Sequence, residues 1–169
     1  MIFLTVGSHE PFDRLVRGVD LWCGAAGKGD QVMGQITARA NYRPKHFRSV
    51  ESLEPEAFSQ VFEEAACIVS HAGMGTIISA LDSGKPIAVM PRRGHLNETR
   101  NDHQYATTRQ FADYPGLLVA ESEEDLAPTL DRLISLDTTN NAIPRYADTA
   151  LLGALRSIIH LGGENNGNG

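Results

Sequence analysis

The sequence predicts an α/β fold built on a parallel sheet, and three observations carry the prediction. Met1–Val6 is an apolar run without a charge, the composition of a strand covered on both faces. Cys67–Ser70 and Ile87–Met90 repeat that pattern. The runs at Met1 and Cys67 each lead through a glycine-containing turn into residues with helical apolar spacing, which is how a strand feeding a helix reads.

Taken in order, Gly7-Ser8-His9-Glu10-Pro11 ends the first strand, and Phe12, Leu15, Val16, Val19 and Trp22 then mark one face of a helix. Gln31–Thr37 reads as a second strand, Ala38–Lys45 as a polar loop and Phe47–Val50 as a short third strand. Pro55 suits the first turn of a helix through Ala66, with Phe58, Val61, Phe62 and Ala65 facing inward. The strand Cys67–Ser70 follows. A helix starts over Ile77–Leu81, Gly84 stops it, and Pro86 opens the strand Ile87–Met90.

Pro91–Gln104 is a long polar loop that continues into a helix through Phe111. Leu117–Val119 is a last short strand. Glu123-Glu124-Asp125 forms an acidic first turn, favoured by the helix dipole, of a helix to about Leu136. Arg145–Leu161 has Leu151, Leu152, Leu155, Ile158 and Ile159 on one face, serving either core packing or a partner. Residues 1–161 are expected to form one domain, and the Gly/Asn-rich stretch 162–169 a disordered tail.

A chain of 169 residues with 41% hydrophobic content buries a single sizeable core. A net charge of -6 argues against a general nucleic-acid binder. Cys23 and Cys67 lie in separate apolar segments, with neither metal-ligand spacing nor a disulfide framework, so a reducing cytoplasmic setting is expected. Neither a bilayer-length apolar run nor a signal-peptide pattern is present.

The chemistry concentrates in Ser70-His71-Ala72-Gly73-Met74-Gly75-Thr76. Two glycines between a strand and a helix let backbone N–H groups approach a ligand, and the helix N-terminus adds unpaired donors and a partial positive charge. With the His71 imidazole and the Thr76 hydroxyl this reads as a diphosphate cradle. Glycines and a histidine at such a turn serve plain packing equally well. No Gly-Lys-Ser/Thr follows, and position 78 is Ile, so neither the nucleotide-binding P-loop nor the Gly-x-Gly-x-x-Gly fingerprint is met. In a parallel sheet Gly7 and Ser8 share the carboxyl edge with this turn, although Ser8 also suits a helix cap. Arg92, Arg93 and Arg100 offer donors to an anionic group, or belong to a solvated loop. Asp102 and Gln104 suit sugar hydroxyls, and Asp102 equally suits a helix cap.

On Ser70–Thr76, Gly84-Lys85-Pro86 and Asn101-Asp102-His103-Gln104, the chain resembles the C-terminal domain of glycosyltransferase family 28. Phe3–Ser8 with Phe12-Asp13-Arg14-Leu15 makes it most similar to the short, free-standing members of that family. These are the soluble subunit of dolichol-linked N-acetylglucosamine transferase and bacterial exopolysaccharide subunits. The resemblance implies a Rossmann-like parallel sheet with helices on both faces, the C-terminal half of a GT-B glycosyltransferase. It implies a UDP-sugar as substrate, with no cofactor and no metal. The donor diphosphate would meet Gly7, Ser8, His71, Gly73, Met74, Gly75 and Thr76, with His71 and Thr76 acting on the departing phosphate. Ser79, Asp102, His103 and Gln104 would serve ribose and sugar, and Leu53–Pro55 would lie near the uracil. Relatives usually carry Glu or Asp at the place of Ser79, so ribose binding there rests on a neutral hydroxyl.

The resemblance further implies a separate acceptor-binding, membrane-associated subunit that draws this chain to the inner face of the membrane, where a hexose or hexuronic acid passes to a lipid-linked acceptor in exopolysaccharide or capsule synthesis. Arg92, Arg93 and Arg100 would suit glucuronic acid. A non-catalytic nucleotide-sugar-binding regulatory module is the alternative, hinted at by Ser79. The oligomeric state, including self-association, stays open.

Overall fold

The computed structural model describes residues 1–99, 104–105, 108–109 and 113–136. Its strands are β1 (Ile2–Thr5), β2 (Val32–Gln35), β3 (Arg48–Val50), β4 (Cys67–His71), β5 (Ile87–Met90) and β6 (Leu117–Val119). The α-helices whose bounds are described are α1 (Asp13–Ala26), α2 (Pro55–Glu64), α3 (Met74–Asp82) and, after β6, α4 (Glu123–Ser135), and 104–105 and 108–109 are also helical. All strand pairs are parallel, in the order β3-β2-β1-β4-β5-β6.

Alternation along the central strands sorts side chains to the two faces. Ile2, Leu4, Cys67, Val69, Ala88 and Met90 pack under α1 and α4 with Leu15, Val19, Trp22, Leu126 and Leu130. Phe3, Ile68, Ile87 and Val89 point the other way, onto Phe62 of α2 and Ile77 and Leu81 of α3. Phe3 meets Phe58 and Phe62 edge-on, at 5.4 and 6.5 Å between ring centres, a geometry favoured by the ring quadrupoles. Because both faces are covered, these strands carry no charge and are apolar at most positions, with Thr5 and Ser70 the buried polar exceptions.

β1, β3 and α2 are each one or two residues shorter at an end than expected, and three other boundaries moved for identifiable reasons. β4 runs one residue further than its apolar run, since His71 pairs in register with Met90 of β5. α3 begins at Met74, three residues before the expected start, so Gly73 is the N-cap and Gly75 lies in the first turn. First-turn N–H groups have no intrahelical acceptor in any case, which makes a glycine tolerable there. β2 is shorter than Gln31–Thr37, because Gly29–Gln31 forms a 3-10 turn and Thr37 takes φ 69. The expected α4 is present, with Ser122 and Asp125 forming a capping box. The expected helix Arg145–Leu161, the tail and the domain limit at 161 lie outside the described residues.

Candidate donor site

The strand order reverses direction between β1 and β4. In open parallel sheets the loops leaving such a pair part company and open a crevice at the carboxyl edge. Here those loops are Val6–Phe12, leading into α1, and Ala72–Gly73, leading into α3. Both helices therefore present their N-termini to the same crevice, with the unpaired N–H groups and partial positive charge that attract an anion.

The loops meet at His71. A Cβ built on Gly7 would stand 3.2 Å from Cε1 of the His71 ring, and one built on Gly73 would overlap Nε2. Gly7 also holds φ +87, a conformation that side-chain-bearing residues rarely adopt. The imidazole thus lies between the two glycines. Around Gly75 a Cβ would meet nothing within 4 Å, so its missing side chain answers no packing demand inside the protein.

Ser70 fixes the imidazole. Its hydroxyl donates to the Thr5 carbonyl at 2.8 Å and lies 3.2 Å from His71 Nδ1. A hydroxyl has one proton, so the Nδ1 contact requires a donor on the ring. The neutral imidazole then carries its proton on Nδ1 and presents a lone pair at Nε2. Burial, with the Arg92 guanidinium nearby, pushes His71 down to about 4. The ring is neutral near neutral pH, polar rather than cationic.

Arg92 and Arg93 do not stand free for an anionic ligand, as the sequence suggested. Arg92 is 4% exposed. One of its terminal nitrogens donates to the carbonyls of Pro11 (2.5 Å) and Glu98 (3.1 Å), the other to those of Val6 and Glu10 (both 2.8 Å). Burying a guanidinium is costly unless its donors are satisfied, and four carbonyls take up those of the two terminal nitrogens. Arg93 donates to the Tyr105 hydroxyl at 2.9 Å and the Glu121 carbonyl at 3.0 Å. Gln104 is also engaged, its Oε1 accepting the Arg92 backbone N–H at 3.0 Å. Arg100, Asp102 and His103 lie outside the described residues.

Gly75, Thr76 and Ser79 line a cavity of about 540 Å³, together with Phe58, Ser59 and Phe62 of α2, Asp82 of α3 and Ser83 just after it. It runs along α3 from the cradle. A cavity of about 720 Å³ between α1 and the start of α4 is lined by none of His71 to Thr76, whereas the smaller one is lined by Gly75 and Thr76. Ser8 is exposed at the crevice, its hydroxyl 2.7 Å from His9 Nδ1. Leu53 is partly buried against the α2–α3 side of the core, its N–H donating to Gln35 Oε1 at 2.9 Å.

Sequence reasoning missed the residues that hold the loops. Glu98 receives two bonds from Arg14 at 2.8 Å and one from the Arg93 N–H at 2.8 Å, and Arg14 also donates to the Pro91 carbonyl at 2.9 Å. Nothing local marks Glu98 for this role. On the side of α1, Asp20 accepts from the Tyr42 hydroxyl and the N–H groups of Lys45 and His46, at 2.7 to 2.9 Å. Burial would raise its carboxyl, but the Tyr42, His46 and Lys45 donors outweigh it and hold the group below the usual carboxylate range. Among the described residues no three His, Cys, Asp or Glu side chains gather to hold a metal. No described helix is long and apolar enough to cross a membrane.

The fold and crevice together define an open parallel α/β domain of the kind that holds a ligand where its strand order reverses. The sequence profile described as the glycosyltransferase family 28 C-terminal domain matches residues 1–149, and the chain belongs to that family. No curated protein matches it. Among solved structures it is similar to the glycosyltransferase of kitacinnamycin, with a TM-score of 0.60 at 21% identity over 96% of this chain and 40% of that one. It is similar to Os79 from O. sativa in complex with UDP, with a TM-score of 0.60 at 15% identity over 93% of this chain and 36% of that one. A third is the UDP-GlcNAc 2-epimerase of Methanocaldococcus jannaschii in complex with UDP-GlcNAc and UDP, with a TM-score of 0.58 at 14% identity over 96% of this chain and 45% of that one. The chain spans about two fifths of the length of these structures. At such identities the likeness shows the fold, which a transferase and an epimerase share.

Proposed function

We propose that this chain is the donor-binding, catalytic part of a UDP-sugar-dependent glycosyltransferase. The observation that carries the reading is the meeting of Gly7 and Gly73 on the His71 imidazole, beneath two helix N-termini. Transfer breaks a sugar–phosphate bond and leaves growing charge on the diphosphate. Oriented N–H donors stabilise that charge more in the transition state than before it. Met74, Gly75 and Thr76 supply the backbone donors, since the Gly73 N–H is held by the His71 carbonyl at 2.8 Å, and Thr76 and Ser8 add hydroxyls. His71 would engage a phosphate oxygen through Nε2. Uridine nucleotides in two structural neighbours support UDP as the carrier.

The cavity along α3 suits the ribose, with Ser79 and Asp82 at its wall. Gln104, with Asp102 and His103 beside it in sequence, would face the sugar. In this reading the transferred group is a hexose or hexuronic acid. The acceptor is lipid-linked, in exopolysaccharide or capsule synthesis, and a separate membrane-associated subunit binds it. That part rests on the resemblance to free-standing family members. Transfer in this reading uses no metal, the oriented N–H donors and helix N-termini stabilising the charge on the leaving group.

Thermal-shift and calorimetric titrations with UDP and with UDP-linked glucose, glucuronic acid, galactose and N-acetylglucosamine test the reading. About 2.7 kcal/mol of stabilisation is expected at a hundredfold excess over Kd. His71→Ala should lose most of it while staying folded. Failure of every uridine nucleotide to shift the wild-type transition would sink the proposal.

A further inference from the structure

We infer that Arg92 is a positioning residue of the donor site: its buried guanidinium holds the Gly7–His9 arc in the shape that meets His71. The inference rests on the donor-site reading above. It differs from a direct contact between Arg92 and a ligand, because the terminal nitrogens already serve the protein.

The geometry is specific. Val6 and Glu10, whose carbonyls share one terminal nitrogen of Arg92 at 2.8 Å, bracket residues 7, 8 and 9. Pro11, immediately beyond, bonds the other. The Phe12 ring lies 4.7 Å from the guanidinium carbon and closes that side. Both ends of the arc are therefore tied to a residue just beyond β5, while Ser8 and His9 remain exposed. That residue is tied again on its backbone, where Gln104 accepts its N–H. The fork's fourth carbonyl, Glu98, belongs to the loop after β5, and the Glu98 carboxylate grips Arg14 at the start of α1. One side chain thus sets the diphosphate loop in register with the loop that leads to Gln104.

Arginine is required for geometric reasons. A planar guanidinium directs donors from two nitrogens at fixed angles, whereas a lysine ammonium is a single point with three donors. Lysine at position 92 would keep the charge and lose the span. Arg92→Lys therefore separates a positioning role from a purely electrostatic one.

The experiment compares wild type, Arg92→Lys and Asp20→Asn by hydrogen exchange and by UDP titration, at a temperature where all three are folded. Asp20→Asn removes a carboxylate that pins the 42–46 loop, and it controls for lost stability. The expected result is at least tenfold faster amide exchange over Gly7–Glu10 in Arg92→Lys, with β4 unchanged, and at least tenfold weaker UDP binding. Asp20→Asn should show neither. Exchange over Gly7–Glu10 in Arg92→Lys within twofold of wild type overturns the clamp, whatever the affinity. Loosened exchange with unchanged UDP affinity, or an equal affinity loss in Asp20→Asn, overturns its role in the site. A wild type that binds no UDP overturns the donor reading itself, and the exchange comparison distinguishes that failure from failure of the clamp.

Discussion

A methyl group on Gly73 would overlap Nε2 of the His71 imidazole, so the ring's place depends on a side chain that is missing two residues later. The same ring lies against Gly7 on the neighbouring loop. One imidazole therefore sets the spacing between the first turn of α3 and the loop that leads into α1.

Gly73→Ala and Gly75→Ala should part ways. The first must displace the His71 ring or the start of α3, and overpacking of this kind costs about 1–3 kcal/mol. The second meets nothing within 4 Å and trades helical glycine for alanine, a gain of up to about 1 kcal/mol. Denaturant unfolding measures both. If Gly75 is bare so that a diphosphate can approach, Gly75→Ala should still weaken UDP binding despite its greater stability.

Acid should weaken the fold through His71. The unfolded imidazole takes its proton near 6.5 and the folded one near 4. Between those values the unfolded state binds more protons, so stability falls as pH falls. The contribution is complete above about pH 6.5 and is lost by about pH 4, amounting to about 3 kcal/mol at 1.36 kcal/mol per unit. His71→Gln removes this titration. Its unfolding free energy should vary less between pH 6.5 and 4 than that of wild type, and a parallel pH dependence would contradict the assignment.

UDP binding should run the opposite way with pH. A lone pair at Nε2 repels a phosphate oxygen, so engagement through that atom requires a second proton on the ring or a tautomer exchange that breaks the Ser70–Thr5 bond. If a proton is taken up, UDP affinity rises as pH is lowered from 7 toward 5, by at most about tenfold per unit. Calorimetry in buffers of different ionisation enthalpy would register the uptake. Ser70→Ala, which frees Nδ1, should lessen the pH dependence.

Ser79→Asp should strengthen UDP binding. A carboxylate accepts from a ribose hydroxyl with roughly twice the strength of a neutral oxygen, and the added ~1 kcal/mol corresponds to about a fivefold lower Kd. Titration with 2′,3′-dideoxy-UDP supplies the control, since the gain should vanish without the diol. An equal gain for both nucleotides would place the ribose elsewhere.

Much of the framework was legible because its causes are local. β1, β4 and β5 are uncharged since both faces of the sheet are covered, and that requirement writes itself into consecutive residues. His71, Gly73 and Thr76 were visible together because they share one turn. The start of α3 was not, since glycines at 73 and 75 lower helix propensity while pairing of His71 with Met90 sets where the strand ends. The role of Arg92 was illegible for another reason. Its partners Val6, Glu10 and Pro11 lie more than eighty positions earlier, and only the folded chain shows which carbonyls lack partners of their own.

The position of β1 has a consequence for how the chain assembles and how it tolerates trimming. β1 lies third of six strands, with β2 on one side and β4 on the other. Counted along the chain, β1 comes first of the described strands, and each later one adds outward on one side of it or the other. Removing Ile2–Thr5 would not fray an end. It would split the sheet into a two-stranded and a three-stranded remnant, each with a raw, sticky edge.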